Sequence, residues 1–182
     1  IQLLLAESQL LRDGGRTQEA YELLAGGLAT QPEQSELLYE SALLAEKLGR
    51  HEAMEASLRK LIRLKPEHAH AYNALGYSFA ERNQRLEEAE QLVLKALQLS
   101  PDDPFIIDSM GWVLYRKGDN QGALAHLQRA FSIRPDPEIA AHLGEVLWAL
   151  GRRDEAKRIW QEAAKAHPGN EVLAEVIKRF AP

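Results

Sequence analysis

Five prolines recur along the chain at nearly constant intervals: Pro32, Pro66, Pro101, Pro135 and Pro168 are separated by 34, 35, 34 and 33 residues. This spacing restricts the fold more than any other feature. A period in that range marks an array of supersecondary units, each packing on its neighbours instead of around one central core. The long interval carries one extra residue in Asn83-Gln84-Arg85, where other units have Gly-Arg, and the short one has a tightened junction at Pro135-Asp136-Pro137. Both irregularities fall in loops, where a changed length costs little.

Aligning the five units exposes a packing rule. The eighth position holds Ser8, Ala42, Gly76, Gly111 and Gly144, and the twentieth holds Ala20, Met54, Ala89, Ala123 and Ala156. Small residues at both places let two antiparallel helices approach closely; Met54 predicts a slightly wider second unit. The twenty-fourth position is large and apolar throughout: Leu24, Leu58, Val93, Leu127 and Trp160. One helix pair cannot bury such a face alone, so stacking must supply the core.

Turn and cap signals place the helices. In the first unit they lie near Gln2 to Asp13 and Thr17 to Thr30, with Gly26 and Gly27 expected to make the second the loosest, at about 1 kcal/mol per interior glycine. Asp102-Asp103 before Pro104 reads as a capped helix start, and Asp136-Pro137 repeats it. After Pro168, Glu171 to Phe180 is expected to form a cap. Val172, Leu173, Val176, Ile177 and Phe180 would cover the last unit, while Glu171, Glu175, Lys178 and Arg179 keep the outer face wet.

Composition narrows the function classes. With 45% hydrophobic and 27% charged residues, the 182-residue chain should fold throughout. A net charge of −5 and the lack of long like-charge runs argue against nucleic acid. No stretch is long and apolar enough to span a bilayer. The absence of cysteine removes thiol chemistry and disulfides but fits either redox compartment. The chain starts at Ile1, already inside a unit, so it reads as a fragment. Ile1, Leu3, Leu4 and Leu10 are expected to be uncovered there and to favour self-association.

Candidate chemistry fails on geometry. Ser57-Leu58-Arg59-Lys60 matches a bare S-x-x-K string without its companion motifs. His68 and His70 point about 200° apart on a helix and cannot share a metal. Capping accounts for Asp102 and Asp103. No cofactor or metal is expected, and no acid–base pair or activated nucleophile supports an enzyme.

The unit from Tyr72 to Pro101 carries the order aromatic-x-x-Leu-Gly-x-x-aromatic in Tyr72, Leu75, Gly76 and Phe79, followed by Ala89, Val93 and Ala96. It resembles a tetratricopeptide repeat (TPR). That resemblance implies an all-α, right-handed superhelical solenoid. It has five helix-turn-helix repeats, near 1–34, 35–68, 69–103, 104–136 and 137–170, plus a capping helix over 171–182. It also implies a concave groove lined by positions 5, 9 and 12 of each first helix. Here the groove would carry Tyr39, Asn73, Tyr77, Asp108, Trp112, Tyr115, Glu145 and Trp148, with Trp112 at its centre as a protein-binding hot spot. Of the Lys and Asn set with which some such proteins clamp a peptide carboxylate, only Asn73 is present.

The run from Asp102 to Arg116, with Asp136 to Trp148, further resembles the C-terminal part of a bacterial family of TPR outer-membrane lipoproteins. That family includes the adaptor of a periplasmic carboxyl-terminal processing protease. The resemblance implies a non-enzymatic scaffold joining a protease to cell-wall hydrolase substrates at the outer membrane. Two alternatives stay open: a cytoplasmic or inner-membrane scaffold for envelope assembly or secretion, and the repeat region of an enzyme whose catalytic domain lies elsewhere.

Overall fold

The structure, a computed structural model, describes residues 1–181. Among them are eleven helices and no strand: α1 (Gln2–Asp13), α2 (Thr17–Thr30), α3 (Ser35–Lys47), α4 (His51–Leu64), α5 (Ala69–Glu81), α6 (Leu86–Leu99), α7 (Pro104–Arg116), α8 (Asn120–Ile133), α9 (Pro137–Ala149), α10 (Arg153–Ala166) and α11 (Glu171–Phe180). Each odd helix packs on the even helix that follows it, and each even helix packs on the next odd one. In addition α3, α5, α7 and α9 touch in series and α11 lies on α9. The odd helices therefore form one layer of a solenoid, backed by the even helices.

The recurrence of small residues has a direct steric cause. A Cβ on Gly76 would stand 2.7 Å from Val93 Cγ2 and 2.9 Å from the Ala89 carbonyl, and one on Gly144 would fall 2.0 Å from Trp160 Nε1. No side chain fits at either place. The third-unit turn uses Asn83 (φ 53) and Arg85 (φ 47) in the left-handed region, where the first, second, fourth and fifth units place a single glycine, such as Gly49 at φ 71. Arg85 is held there by ion pairs to Glu55 (2.9 Å) and Glu88 (2.6 Å), and its guanidinium lies 4.4 Å from the Phe79 ring centroid. Those contacts offset a conformation that costs a non-glycine residue roughly 1–2 kcal/mol.

Asp103 accepts from the Phe105 and Ile106 amides at 2.9 and 3.3 Å, and Asp136 accepts from that of Glu138 at 2.9 Å. Asp102, expected to share the capping, instead pairs with Arg129 of α8 at 2.8 Å. One carboxylate satisfies the free amides, which leaves the other to tie adjacent units. His68, the residue before α5, caps it through Nδ1, 3.1 Å from the Ala71 amide.

Gly27 has a packing role as well. α2 runs unbroken through it, and a Cβ there would meet Leu4 and Leu37 at 3.0 and 3.1 Å, so the glycine allows close contact with both neighbours. At the chain start Leu3 and Leu10 are 79% and 73% exposed, as expected. Ile1 and Leu4 are partly covered: both pack against the cluster of Leu24 and Leu37 and stay partly exposed. In the cap Leu173 and Val176 are buried, and Ile177 and Phe180 partly so. Val172 is 40% exposed, and with Glu175 and Arg179 it borders the inner face instead of the apolar seam.

Candidate functional site

Two concavities open on the layer of odd helices. One, of about 300 Å³, lies between α1 and α3 and is lined by Leu5, Gln9, Arg12, Tyr39, Glu40 and His68 among others. Tyr39 is half-buried, its ring tilted against His68 at 5.3 Å between centroids. Arg12 and Glu40 face each other across this groove at 3.5 Å.

The second, of about 360 Å³, joins α5, α7, α9 and α11. Its floor is a polar cluster that spans three units. His142 of α9 is hydrogen-bonded through Nδ1 to both carboxylate oxygens of Asp108 of α7, at 2.9 and 3.0 Å. Its Nε2 lies 3.3 Å from the hydroxyl of Tyr77 on α5. The Trp112 ring stacks on the imidazole at 4.1 Å, and its Nε1 donates to the Glu81 carboxylate at 2.8 Å. Around this floor stand Glu138, Glu145 and Glu175, with Arg116 and Arg179.

The electrostatics follow from that burial. Withdrawal from water disfavours the imidazolium of His142, but the adjoining Asp108 carboxylate, supported by Glu81 and Glu138, outweighs it and raises the pKa above 6.5. The pKa of Tyr77 is raised because its phenol is buried among carboxylates. Partial desolvation likewise raises the carboxyls of Glu138 and Glu145 above the usual range.

A pKa raised in the folded state makes the imidazolium stabilising. The contribution is complete below the unfolded value of 6.5 and is lost as pH climbs through the higher folded value. The melting temperature should therefore fall across that window, and Asp108→Asn should flatten the slope. A profile unaffected by Asp108→Asn would show that the pair does not carry it.

Trp112, expected at the centre of an exposed stripe, is 3% exposed, and Asp108 is 6% exposed. Neither presents a free face: one seals the floor and the other holds His142. Tyr77 and Glu145 line the same cleft as the edge of Trp112, whereas Tyr39 lines the other groove. Tyr115 leans on Trp112 at 5.1 Å, and Trp148 stacks on Trp160 and tilts against Phe180, at 5.9 Å each. Both belong to junctions between units and border neither cavity. Asn73 borders neither, and its Oδ1 is buried without a hydrogen-bond partner, so it is not set out as part of a carboxylate clamp.

Glu81, Arg116, Glu138 and His142 fall outside the 5, 9, 12 pattern. They occupy positions 13, 13, 2 and 6 of their units. At about 100° per residue, positions 2, 6, 9 and 13 share an arc of about 60°, turned away from position 12. That arc is readable from helical geometry, but which arc faces inward depends on how neighbouring units rotate.

Models of the tetratricopeptide repeat match residues 35–68, 53–104 and 114–178. The chain is built of tetratricopeptide repeats. It is 46% identical over 145 residues to the TPR repeat-containing protein PA4667 of Pseudomonas aeruginosa, a match covering 80% of this chain and 25% of that protein. It thus spans about a quarter of the length of that relative. The crystal structure of TTC0263, a thermophilic TPR protein of Thermus thermophilus, superposes with a TM-score of 0.86 at 25% identity, covering 99% of this chain and 96% of that one. A chain of the APC/C hetero-tetramer Cut9–Hcn1 superposes at 0.84 with 19% identity, over 98% of this chain and 36% of that one. These likenesses establish the TPR solenoid.

Among the described residues no group of three or more His, Asp or Glu is arranged to hold a metal ion. Among the same residues no helix is long and apolar enough to cross a membrane. The Asp108–His142 pair has the form of a catalytic dyad. The third group at the imidazole is the Tyr77 phenol, so the cluster ties α5, α7 and α9 of three successive TPR units together.

Proposed function

We propose that this TPR array is a non-enzymatic scaffold that binds protein partners on its inner, odd-helix face. The observation that carries the reading is the pair of concavities opening on the same layer, one beside α1 and α3 and the other across α5, α7, α9 and α11. Together they offer a partner segment two separated anchoring points on a rigid surface. The finer reading is an adaptor between a periplasmic carboxyl-terminal processing protease and cell-wall hydrolase substrates, as part of an outer-membrane lipoprotein. Its support is the resemblance of the runs Asp102 to Arg116 and Asp136 to Trp148.

Capture of envelope proteins by the immobilised chain, with quantitation by mass spectrometry, tests both levels. Tyr39→Ala should weaken the principal partner by about 2 kcal/mol, the usual size of a hot-spot truncation, with helical content unchanged by circular dichroism. If inner-face variants bind like the parent while a variant at exposed Leu94 of α6 does not, the partner occupies the opposite face. Recovery of the processing protease would support the adaptor reading, and its consistent absence from envelope captures would remove it.

A further inference from the structure

We propose that the cleft joining α5, α7, α9 and α11 receives a basic side chain of the protein partner, so that the TPR array selects a cation at this point and not a terminal carboxylate. This rests on the inner-face reading above. Its basis is charge complementarity within a cavity of side-chain size. Four glutamates and two arginines border it, and the arginines are already engaged. Arg179 pairs with Glu145 at 2.8 Å. Arg116 lies over the Trp112 ring at 5.0 Å and donates to the Glu81 carbonyl at 3.1 Å.

The remaining carboxylates have no ion-pair partner, although His142 and Arg116 border the same cleft. The Glu81 carboxylate accepts the Trp112 indole N–H, and Glu81, Glu138 and Glu175 form no ion pair among the described residues. His142 and, more weakly, Lys47 of the second unit are near enough to lower the pKa of Glu138, but neither pairs with it. Burial raises the Glu138 and Glu145 carboxyls above their ordinary range despite the nearby His142 and Arg179, so ionising them there costs more than in water unless a further cation offsets it. A guanidinium or ammonium group entering between α7, α9 and α11 would supply that compensation, and its aliphatic stem would lie along the exposed Val172. The buried Asp108–His142 pair fixes the floor, so little rearrangement is needed.

The test uses N-acetyl-arginine methylamide as the probe and the Trp112 indole N–H resonance as the readout, assigned by its loss in Trp112→Phe. N-acetyl-norleucine methylamide and N-acetyl-glutamate methylamide serve as comparisons. The arginine probe should give a saturable shift with Kd of about millimolar, weakened by salt and at least about tenfold in the Glu138→Gln/Glu175→Gln double variant. The norleucine and glutamate probes should give no saturable shift. A shift of equal size with norleucine, or arginine binding unchanged in the double variant, would overturn the assignment, as would no saturation with arginine. If partner capture still depends on Tyr39 while the cleft ignores the arginine probe, the cation assignment alone falls. If no inner-face variant affects capture, the inner-face reading falls with it.

Discussion

Trp160→Ala should destabilise the C-terminal third of the array by about 3–5 kcal/mol, the range for truncating a fully buried tryptophan. Trp160 is 0% exposed. Its ring stacks on Trp148 and on Phe180 at 5.9 and 5.8 Å, and Nε1 donates to the Ala141 carbonyl at 3.3 Å. The substitution removes the large group standing against Gly144, where the lack of a side chain admits it. Because neighbouring units couple mainly to each other, the loss should stay local. Hydrogen exchange should show α10 and α11 opening well before α3 to α6, which keep their protection. Uniform loss across all units would mean that the array unfolds as one cooperative body.

Trp112→Ala should cost about 3–5 kcal/mol as well, but in the middle of the array. The change deletes the ring stacked on His142 and the donor to Glu81, and it exposes the Asp108–His142 pair to water. The melting temperature should drop by about 10 °C for a chain of this size. Trp112→Phe keeps most of the stack and should lose only the indole hydrogen bond, about 1–2 kcal/mol. Measuring thermal unfolding beside partner affinity separates the two roles open to this residue. A variant that melts like the parent yet binds poorly would restore Trp112 as an exposed contact residue, against its 3% exposure.

How much of the protein was legible in advance follows from which forces act locally. Period, small residues at positions 8 and 20, and the large residue at position 24 are all visible in one unit read against the next. They determine the fold because the two helices of a unit approach closely where positions 8 and 20 are small, as at Gly76 and Gly144. The Asp103 and Asp136 caps were equally plain, since an N-cap depends on three or four consecutive residues.

The inner surface was not plain. Trp112 and Asp108 were expected to face a partner, and Trp148 and Tyr115 to extend the same stripe. Counting along one helix gives the angular order of side chains but not the rotation of that helix against its neighbours. Packing of α7 between α5 and α9 buries Trp112 and Asp108 in the seam and brings positions 2, 6 and 13 beside position 9 in the groove. His142 illustrates the limit most clearly. In the sequence it is an isolated histidine in an apolar helix, 34 residues from Asp108 and 65 from Tyr77. Only the stacking of three units places all three side chains around one point, where a neighbouring carboxylate outweighs burial and raises the pKa of the imidazole. The sequence by itself determined the repeat and its closest contacts, because sterics within one unit dictate them. The tertiary structure decided which residues meet across units, because that depends on an inter-unit rotation that no single unit encodes.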